Sequence, residues 1–375
     1  MPSSFVALPV GQGDAFLVSN TDFSALVDGG HSGRTLLQLL SKHRRSRALN
    51  VVACTHNDAD HAEGLIGLLA SQEIKVCEVW LPGQWTTRLR DLLVAPEAFM
   101  LEVLHDIDTL SSEDIRMDSL SDLADRLENV ETVPGESSPI VQVLDEAVEA
   151  STGRPTRLLR HITSWWAFPF HHRTPLRLFW EAIDATERIR KLAYLAWQRA
   201  VAVRWFDVTY SPATITTDAT KLLVPVNAKE IVRISSYKLS ALQFLALSVS
   251  NKRSLCFEFR PTPEKVSVLL TADSDLNFKD PINWSSGMIV TAPHHGSEAN
   301  VSAYDRASQE CPSPQSILWV RSDGRFRSRP GAAFLQQIKR YCTRCRPYGH
   351  GEQAVHFTST AAGWITRRTK PCRCV

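Results

Sequence analysis

Long hydrophobic runs are missing from this chain. No stretch approaches the ~18 uninterrupted apolar residues that cross a bilayer, so neither a membrane span nor a membrane partner is expected. Residues 1–8 carry no basic segment ahead of a long apolar run, so a secretory leader is not expected and a cytoplasmic setting is. Excess charge of one sign is missing too. With 42 basic and 40 acidic residues the formal net charge is +2, which by itself names no partner. Internal repeats and low-complexity tracts are absent, and the 43% apolar and 22% charged composition is ordinary for a globular chain. Disorder, collagen and coiled coil are thereby excluded as the main description. There is no GxxxxGK phosphate loop, and no Ser-His-Asp or Cys-His nucleophile pattern. The eight cysteines, in a chain without an expected leader, read as thiols or metal ligands rather than disulfides.

What is present divides into three regions. At ~150 residues per domain, 375 residues allow two or three domains, or one domain with a large insertion. In 1–85, short apolar strands at 4–10, 15–18, 24–27, 49–54 and 75–81 alternate with helical patterns at 35–46 and 62–71. That alternation indicates an α/β layer architecture. In 86–206, helical patterns dominate, at 87–105, 112–128, 139–151 and 179–206, with an acidic part (101–136) and a basic part (152–206). In 207–375, strands return at 221–225, 229–235, 242–248, 254–259, 265–271, 287–291, 315–320, 353–358 and 362–367, with one helix at 330–341.

The chemistry concentrates after apolar strands. His56-Asn57-Asp58-Ala59-Asp60-His61 places two imidazoles and two carboxylates within six residues of a strand-to-helix loop. Such a mixed nitrogen and oxygen set suits zinc or manganese. Asp58 or Asp60 could instead cap the following helix, but capping uses one residue and has no need of the histidines. His294-His295-Gly296-Ser297 follows another apolar strand and could close the same site. Asp273 ends the run Leu269-Leu270-Thr271-Ala272, where a carboxylate alone more often caps a turn. Cys342-x-x-Cys345 with Cys372-x-Cys374 offers four thiols for a structural zinc that would tie down the tail, against the alternative of incidental reduced thiols.

In order, the motifs are VGQGD (10–14), LVDGG (26–30), THNDADH (55–61), SNKRSL (250–255), LLTADSD (269–275) and APHHGS (292–297). This series resembles the metallo-β-lactamase superfamily, and is most similar to the hydrolase domain of ComEC-type competence proteins, which act in DNA uptake. The resemblance covers about 1–85 and 225–375. It implies an αββα sandwich, with 86–206 as a helical insertion near the mouth of the site, and two divalent cations, zinc or manganese. Carried over residue by residue, His56 and Asp58 would serve one cation. Asp60 and His61 would serve the other, Asp60 also handling the attacking water. Asp273 would bridge, and His294, with His295 as second choice, would close the set. Asn251 and Ser254 match a polar pair where other relatives carry a histidine ligand, and would be catalytic. Asp28 and Asp14 would orient ligand imidazoles. The chain departs from the family at Asp58, where many relatives have histidine, at Ala272, at Ala62-Glu63-Gly64, and at Arg329-Pro330, where a His-Pro is common. Arg329 could instead hold a phosphate oxygen.

The implied activity is metal-assisted hydrolysis of a phosphodiester, with a nuclease favoured and DNA ahead of RNA. The charge placement agrees with this. From residue 321 onward the chain carries twelve arginines and lysines against Asp323 and Glu352. Trp165, Trp166, Phe168, Phe170, His171, His172 and Arg173 could stack bases, or pack a helical lid. The acidic 101–136 could dock on the basic tail. A regulatory protein partner, in a defence or signalling system, is a further expectation. The alternatives are a hydrolase of small phosphoesters, cyclic nucleotides or lactones, and a partner-binding module with weakened catalysis.

Overall fold

A computed structural model describes residues 2–44, 46–110, 119–127, 137–151, 176–208, 221–235, 239–261, 266–323, 329–345, 352–366 and 369–374. Among them, nine strands form one sheet. Its order is Gly363–Ile365, Val355–Thr360, Ser4–Ala7, Phe16–Ser19, Ser24–Val27, Ala48–Ala53, Lys75–Pro82, Ala202–Asp207 and Lys229–Ile231. Six strands form a second sheet, ordered Arg340–Cys342, Leu318–Arg321, Ile289–Thr291, Val268–Leu270, Phe257–Phe259 and Leu223–Pro225.

Side chains alternate along a strand, so each strand of the first sheet feeds two cores. Phe5, Phe16, Val18, Val27, Val51 and Trp80 face the second sheet and meet Phe257, Phe259, Leu270, Ile289 and Val320 there. Val6, Leu17, Leu26, Val52 and Leu81 point the other way, against Leu36, Leu40, Leu65 and Leu68 of the helices Gly33–His43 and Ala59–Ser71. On the far side, Leu269, Val290 and Trp319 pack on Ala303, Tyr304 and Phe334. Each large apolar side chain so buried contributes about 1.5–3 kcal/mol. The result is the expected helix–sheet–sheet–helix sandwich.

The helices Thr86–Val94, Pro96–Asp108, Leu120–Leu127, Ile140–Ser151 and Leu176–Gln198 connect two parallel neighbours of the first sheet, Lys75–Pro82 and Ala202–Asp207. Their apolar residues, among them Leu89, Phe99, Leu123, Ile189 and Leu192, belong to the same core as Leu65 and Leu68. Acids of this segment are used internally. Glu102 takes a bidentate bond from Arg88 and one from the backbone N–H of Ala241, and Asp106 accepts from Leu242 N–H. These two satisfy the first backbone N–H groups of the helix Ala241–Ser248.

Four elements differ from their expected form. Residues 242–248 form a helix, Ala241–Ser248, instead of a strand. Seven of its eight side chains are buried, so its apolar pattern carries no period, and the Ser240–Gln243 capping box decides the matter. The helix expected over 179–206 ends at Gln198, and Ala202–Asp207 is a strand. The branched and aromatic residues Val203, Trp205 and Phe206 fit a sheet better than a helix. The helix expected over 330–341 is the short turn Ala332–Leu335, followed by the strand Arg340–Cys342. Pro96 divides the pattern at 87–105 into two helices.

Candidate metal centre

Both sheets deliver their chemistry from the C-terminal ends of parallel strands. Asp28 follows Ser24–Val27, and His56 to Asp58 follow its parallel neighbour Ala48–Ala53. Asp273 follows Val268–Leu270, and His294 and His295 follow its parallel neighbour Ile289–Thr291. Tight backbone packing draws the ends together. Gly13, at φ +90°, lies so close to Asp60 that a Cβ there would sit 1.7 Å from its carbonyl oxygen. Gly64 N–H donates to the Gly30 carbonyl at 2.8 Å. Ala272, His294 and His295 all take the left-handed conformation, at φ +47°, +46° and +55°. Non-glycine residues adopt it at a cost, and such strain concentrates at functional sites.

Asp273 is the hub. Its Oδ1 lies 3.2 Å from His61 Nε2 and 3.6 Å from His295 Nε2. Its Oδ2 lies 3.4 Å from His294 Nε2 and 3.9 Å from His56 Nε2. One carboxylate therefore faces two separate sets of donors. Asp58 extends the first set, with Oδ2 3.6 Å from His56 Nε2. Although Asp58 stands at the N-cap of Ala59–Ser71, its side chain makes no capping bond. Asp60 extends the second set, 3.4 Å from His295 Nε2 and 4.0 Å from His61 Nε2.

The imidazoles are oriented from behind. Asp28 Oδ2 meets His61 Nδ1 at 2.8 Å and accepts from Thr55 Oγ1, while its Oδ1 accepts from Thr55 N–H. Thr55 Oγ1 in turn meets His56 Nδ1 at 3.0 Å. Asp14 Oδ1 meets His295 Nδ1 at 3.1 Å. All three rings consequently turn Nε2 towards Asp273. His56 Nε2, His61 Nε2, His295 Nε2 and Asp273 Oδ1 are buried and make no hydrogen bond. Leaving that many polar atoms unsatisfied is costly unless something absent from the polypeptide completes them. The donor chemistry fits divalent cations. Asp14, His61, Asp273 and His295 offer ligand atoms within 4.8 Å of one another, and so do His56, Asp58 and Asp273.

The electrostatics agree. Burial alone would lower the His61 and His295 pKa values, but the surrounding carboxylates overcome it and hold both well above the usual imidazole value. Those carboxylates are Asp273 and Asp28 for His61, and Asp14 and Asp273 for His295. Burial would raise Asp60 and Asp273, but the neighbouring imidazoles outweigh it and both are pushed down. Burial lowers His294, with the Arg329 guanidinium acting in the same direction.

Of the two late histidines, His295 joins the tight group of four. His294 Nε2 faces the Nη2 of Arg329, whose Nη1 is 3.5 Å from Asp323. Asn251 lies on the turn Asn251–Arg253 and Ser254 follows it. This turn is bound to the site loop through Leu255 N–H and the Thr55 carbonyl. Asn251 Oδ1 and Ser254 Oγ are buried without a hydrogen-bond partner. Cys342, Cys345, Cys372 and Cys374 come together in a cluster of their own.

Several contributors carried no readable sequence signal. Arg188, on Leu176–Gln198, donates to the Asn57 carbonyl at 2.8 Å, and Asn57 Nδ2 donates to the Ala185 carbonyl and to Ser248 Oγ. Arg321 is buried and donates to the His295 carbonyl at 2.7 Å, so it is not part of a solvent-facing basic stripe as expected. Thr55 stood beside the motif, but its link from Asp28 to His56 needed the fold. Residues 165–173, with their aromatic and histidine side chains, lie outside the described residues, as do Arg325, Arg327, Arg346, Arg367 and Arg368.

Residues 8–146 match the sequence profile of the metallo-beta-lactamase superfamily. The two-sheet α/β architecture is consistent with that fold. Among solved structures, the chain is similar to the stereoselective inverting sec-alkylsulfatase Pisa1 from Pseudomonas sp. The identity is 16% over 24% of this chain and 17% of that one, with a TM-score of 0.16. The match therefore spans about a sixth of the sulfatase. No curated protein matches the chain.

Proposed function

We propose that the chain is a metal-dependent hydrolase of phosphodiesters, and a nuclease first. The observation that carries this reading is the division of Asp273: one oxygen towards His61 and His295, the other towards His56 and His294. A bridging carboxylate between two donor sets is what a pair of cations requires. Bound there, two cations would supply an acidified water and a clamp for developing negative charge. His56 and Asp58, with Asp273 Oδ2 and His294, would hold one position. Asp60, His61 and His295, with Asp273 Oδ1, would hold the other. Asp28 and Asp14 fix the tautomers of His61 and His295 through Nδ1, which keeps Nε2 free to ligate.

The neighbouring imidazoles hold Asp60 ionised, so its carboxylate can accept a hydrogen bond from a water and orient it. Arg329 favours a phosphate over a neutral substrate. Its planar fork lies beside His294 at this end of the sandwich, and it can exchange its Asp323 contact for two phosphate oxygens. Several described basic residues of the insertion are engaged within the fold. Arg188, Arg190, Lys191, Arg199 and Arg204 each bond to a neighbouring backbone or carboxylate. Among the described residues, support for a polymeric substrate accordingly rests on Arg329 and on the exposed Lys339, Arg344, Lys370 and Arg373.

The test is cleavage of single- and double-stranded DNA and RNA, and of a small chromogenic phosphodiester, with manganese, zinc or magnesium. Asp60→Ala and His61→Ala serve as controls. Metal-dependent cutting of polymer, lost in both controls, is the expected result. Cutting of the small ester alone would leave a small-molecule phosphodiesterase. Hydrolysis of neither by metal-loaded protein would overturn the reading.

A further inference from the structure

We propose that Cys342, Cys345, Cys372 and Cys374 form a tetrathiolate zinc site, separate from the histidine–aspartate cluster, that fastens the C-terminal segment to the edge of the second sheet. The sulfur separations carry the argument. Cys342 Sγ is 3.8 Å from Cys374 Sγ, Cys345 Sγ is 3.6 Å from Cys374 Sγ, and Cys345 Sγ is 3.9 Å from Cys372 Sγ. A disulfide needs ~2.05 Å, so no pair is bonded to another. Zinc–sulfur bonds of ~2.3 Å in a regular tetrahedron put the sulfurs about 3.8 Å apart. Three of the six sulfur separations thus match those of a tetrahedral zinc site, and all four thiols lie within 4.8 Å of one another.

The surroundings are built for thiolates. Arg373 N–H points at Cys345 Sγ at 3.3 Å, and Cys374 N–H points at Cys372 Sγ at 3.4 Å. Backbone N–H groups aimed at ligand sulfurs stabilise their negative charge. Two elements far apart in the chain supply the ligands. Cys342 ends the edge strand Arg340–Cys342, Cys345 closes the turn after it, and Cys372 and Cys374 come from the last residues of the chain. The same segment is also tied by backbone and core contacts: Cys372 N–H donates to the Arg340 carbonyl at 2.6 Å, Arg340 reaches the Cys374 carbonyl at 3.5 Å, and Thr369 Oγ1 accepts from His356 N–H at 3.1 Å. An all-sulfur, four-ligand set leaves no open position for substrate, which marks a structural role. It also prefers zinc over the harder manganese that the other cluster would accept.

The full chain, purified with zinc, tests this without relying on any catalytic activity. Exchange with cobalt(II) should produce the sulfur-to-metal charge-transfer absorption of a tetrahedral thiolate site, which imidazole and carboxylate ligands cannot give. In Asp273→Asn about one equivalent of zinc should remain, and Cys345→Ser with Cys374→Ser should abolish both that equivalent and the absorption. With zinc bound, the exposed Cys77 should be the fast-reacting thiol towards Ellman's reagent, and trypsin should spare the Arg373–Cys374 bond. After chelation, Cys345 and Cys374 should react, and tail cleavage should speed up at least tenfold. Wild-type protein that takes up cobalt without the charge-transfer band, or whose Cys345 and Cys374 react as fast as Cys77 in the presence of zinc, overturns the proposal.

Discussion

The two clusters of this molecule use opposite solutions for gathering donors. The histidine–aspartate cluster mixes nitrogen and oxygen, takes its ligands from both sheets, and is open on one side. Asp58 is 34% exposed and Asp60 16%, while His56, His61, His295 and Asp273 are buried. The cysteine cluster is all sulfur, comes from an edge strand and the tail, and among the described residues has no fifth donor. An open mixed set leaves room for water and substrate, whereas a closed soft set does not. The contrast extends to support. Asp28, Thr55 and Asp14 stand behind the imidazoles, and Arg188 and Arg321 hold the loops from two further directions. Behind the sulfurs there are two backbone N–H groups. The difference teaches that the first cluster is built to hold its groups at fixed angles and the second to hold the chain together.

Breaking the hub should have the largest effect. Asp273→Ala removes the oxygen shared by both donor sets. Several kcal/mol of charge stabilisation disappear with it, so activity should fall roughly a thousandfold or more and the bound metal of this cluster should be lost. Metal content and cleavage measured on one preparation check it. If metal and rate persist, the two donor sets do not depend on Asp273.

Removing support should cost less. Asp28→Asn leaves the ligands in place but frees His61 and Thr55, so metal affinity or rate should fall about 10- to 100-fold. A competition titration with a metal indicator measures this, and an unchanged affinity would demote Asp28 to a role in folding only. The cysteine variants should leave this affinity within a few fold, which sharpens the division between the clusters.

The pH dependence separates them further. His61 and His295 hold protons tightly because carboxylates surround them, and a cation needs their bare Nε2 atoms. Cation binding should therefore release protons, and affinity should weaken as the pH falls and strengthen as it rises towards the elevated imidazole pKa values. Calorimetry in buffers of different ionisation enthalpy counts the protons; none released at neutral pH would show that the rings are already neutral.

Arg188→Ala should have the smallest effect. It removes two bonds to the Asn57 loop, at 2.8 and 3.3 Å, and should destabilise the fold by about 1–2 kcal/mol. Thermal melting with and without added zinc reads the loss. A larger fall in metal affinity than in stability would mean that the insertion's main contribution to this loop is to position His56 and Asp58.

Where chemistry was tied to local order, much was legible. The strand-to-helix loop at 55–61 carries four candidate ligands within six residues, so spacing alone made it readable. The two-faced strands of the first sheet showed in their apolar runs. Legibility failed where a segment was buried all round, as at Ala241–Ser248, since a uniformly apolar run has no period to read. It failed again at Val203 to Phe206, whose strand-favouring residues follow directly on a long helical pattern and pair with Lys75–Pro82. Among the described residues, several cations that composition counts as surface charge, Arg321 and Arg204 among them, are buried and bonded, because pairing is a property of neighbours in space.

The sequence by itself determined the ingredients: a layered α/β chain, a histidine–aspartate motif, a later histidine pair, a strand-end aspartate and four paired cysteines. Their chemical types and local spacing do not depend on distant contacts. Tertiary structure alone decided that Asp273 stands between two donor sets, that His295 rather than His294 enters the tight group, and that Arg321 is a buried strut. Each of these depends on how two sheets, joined through residues hundreds of positions apart, bring their strand ends to one edge, a geometry fixed by packing of the whole core.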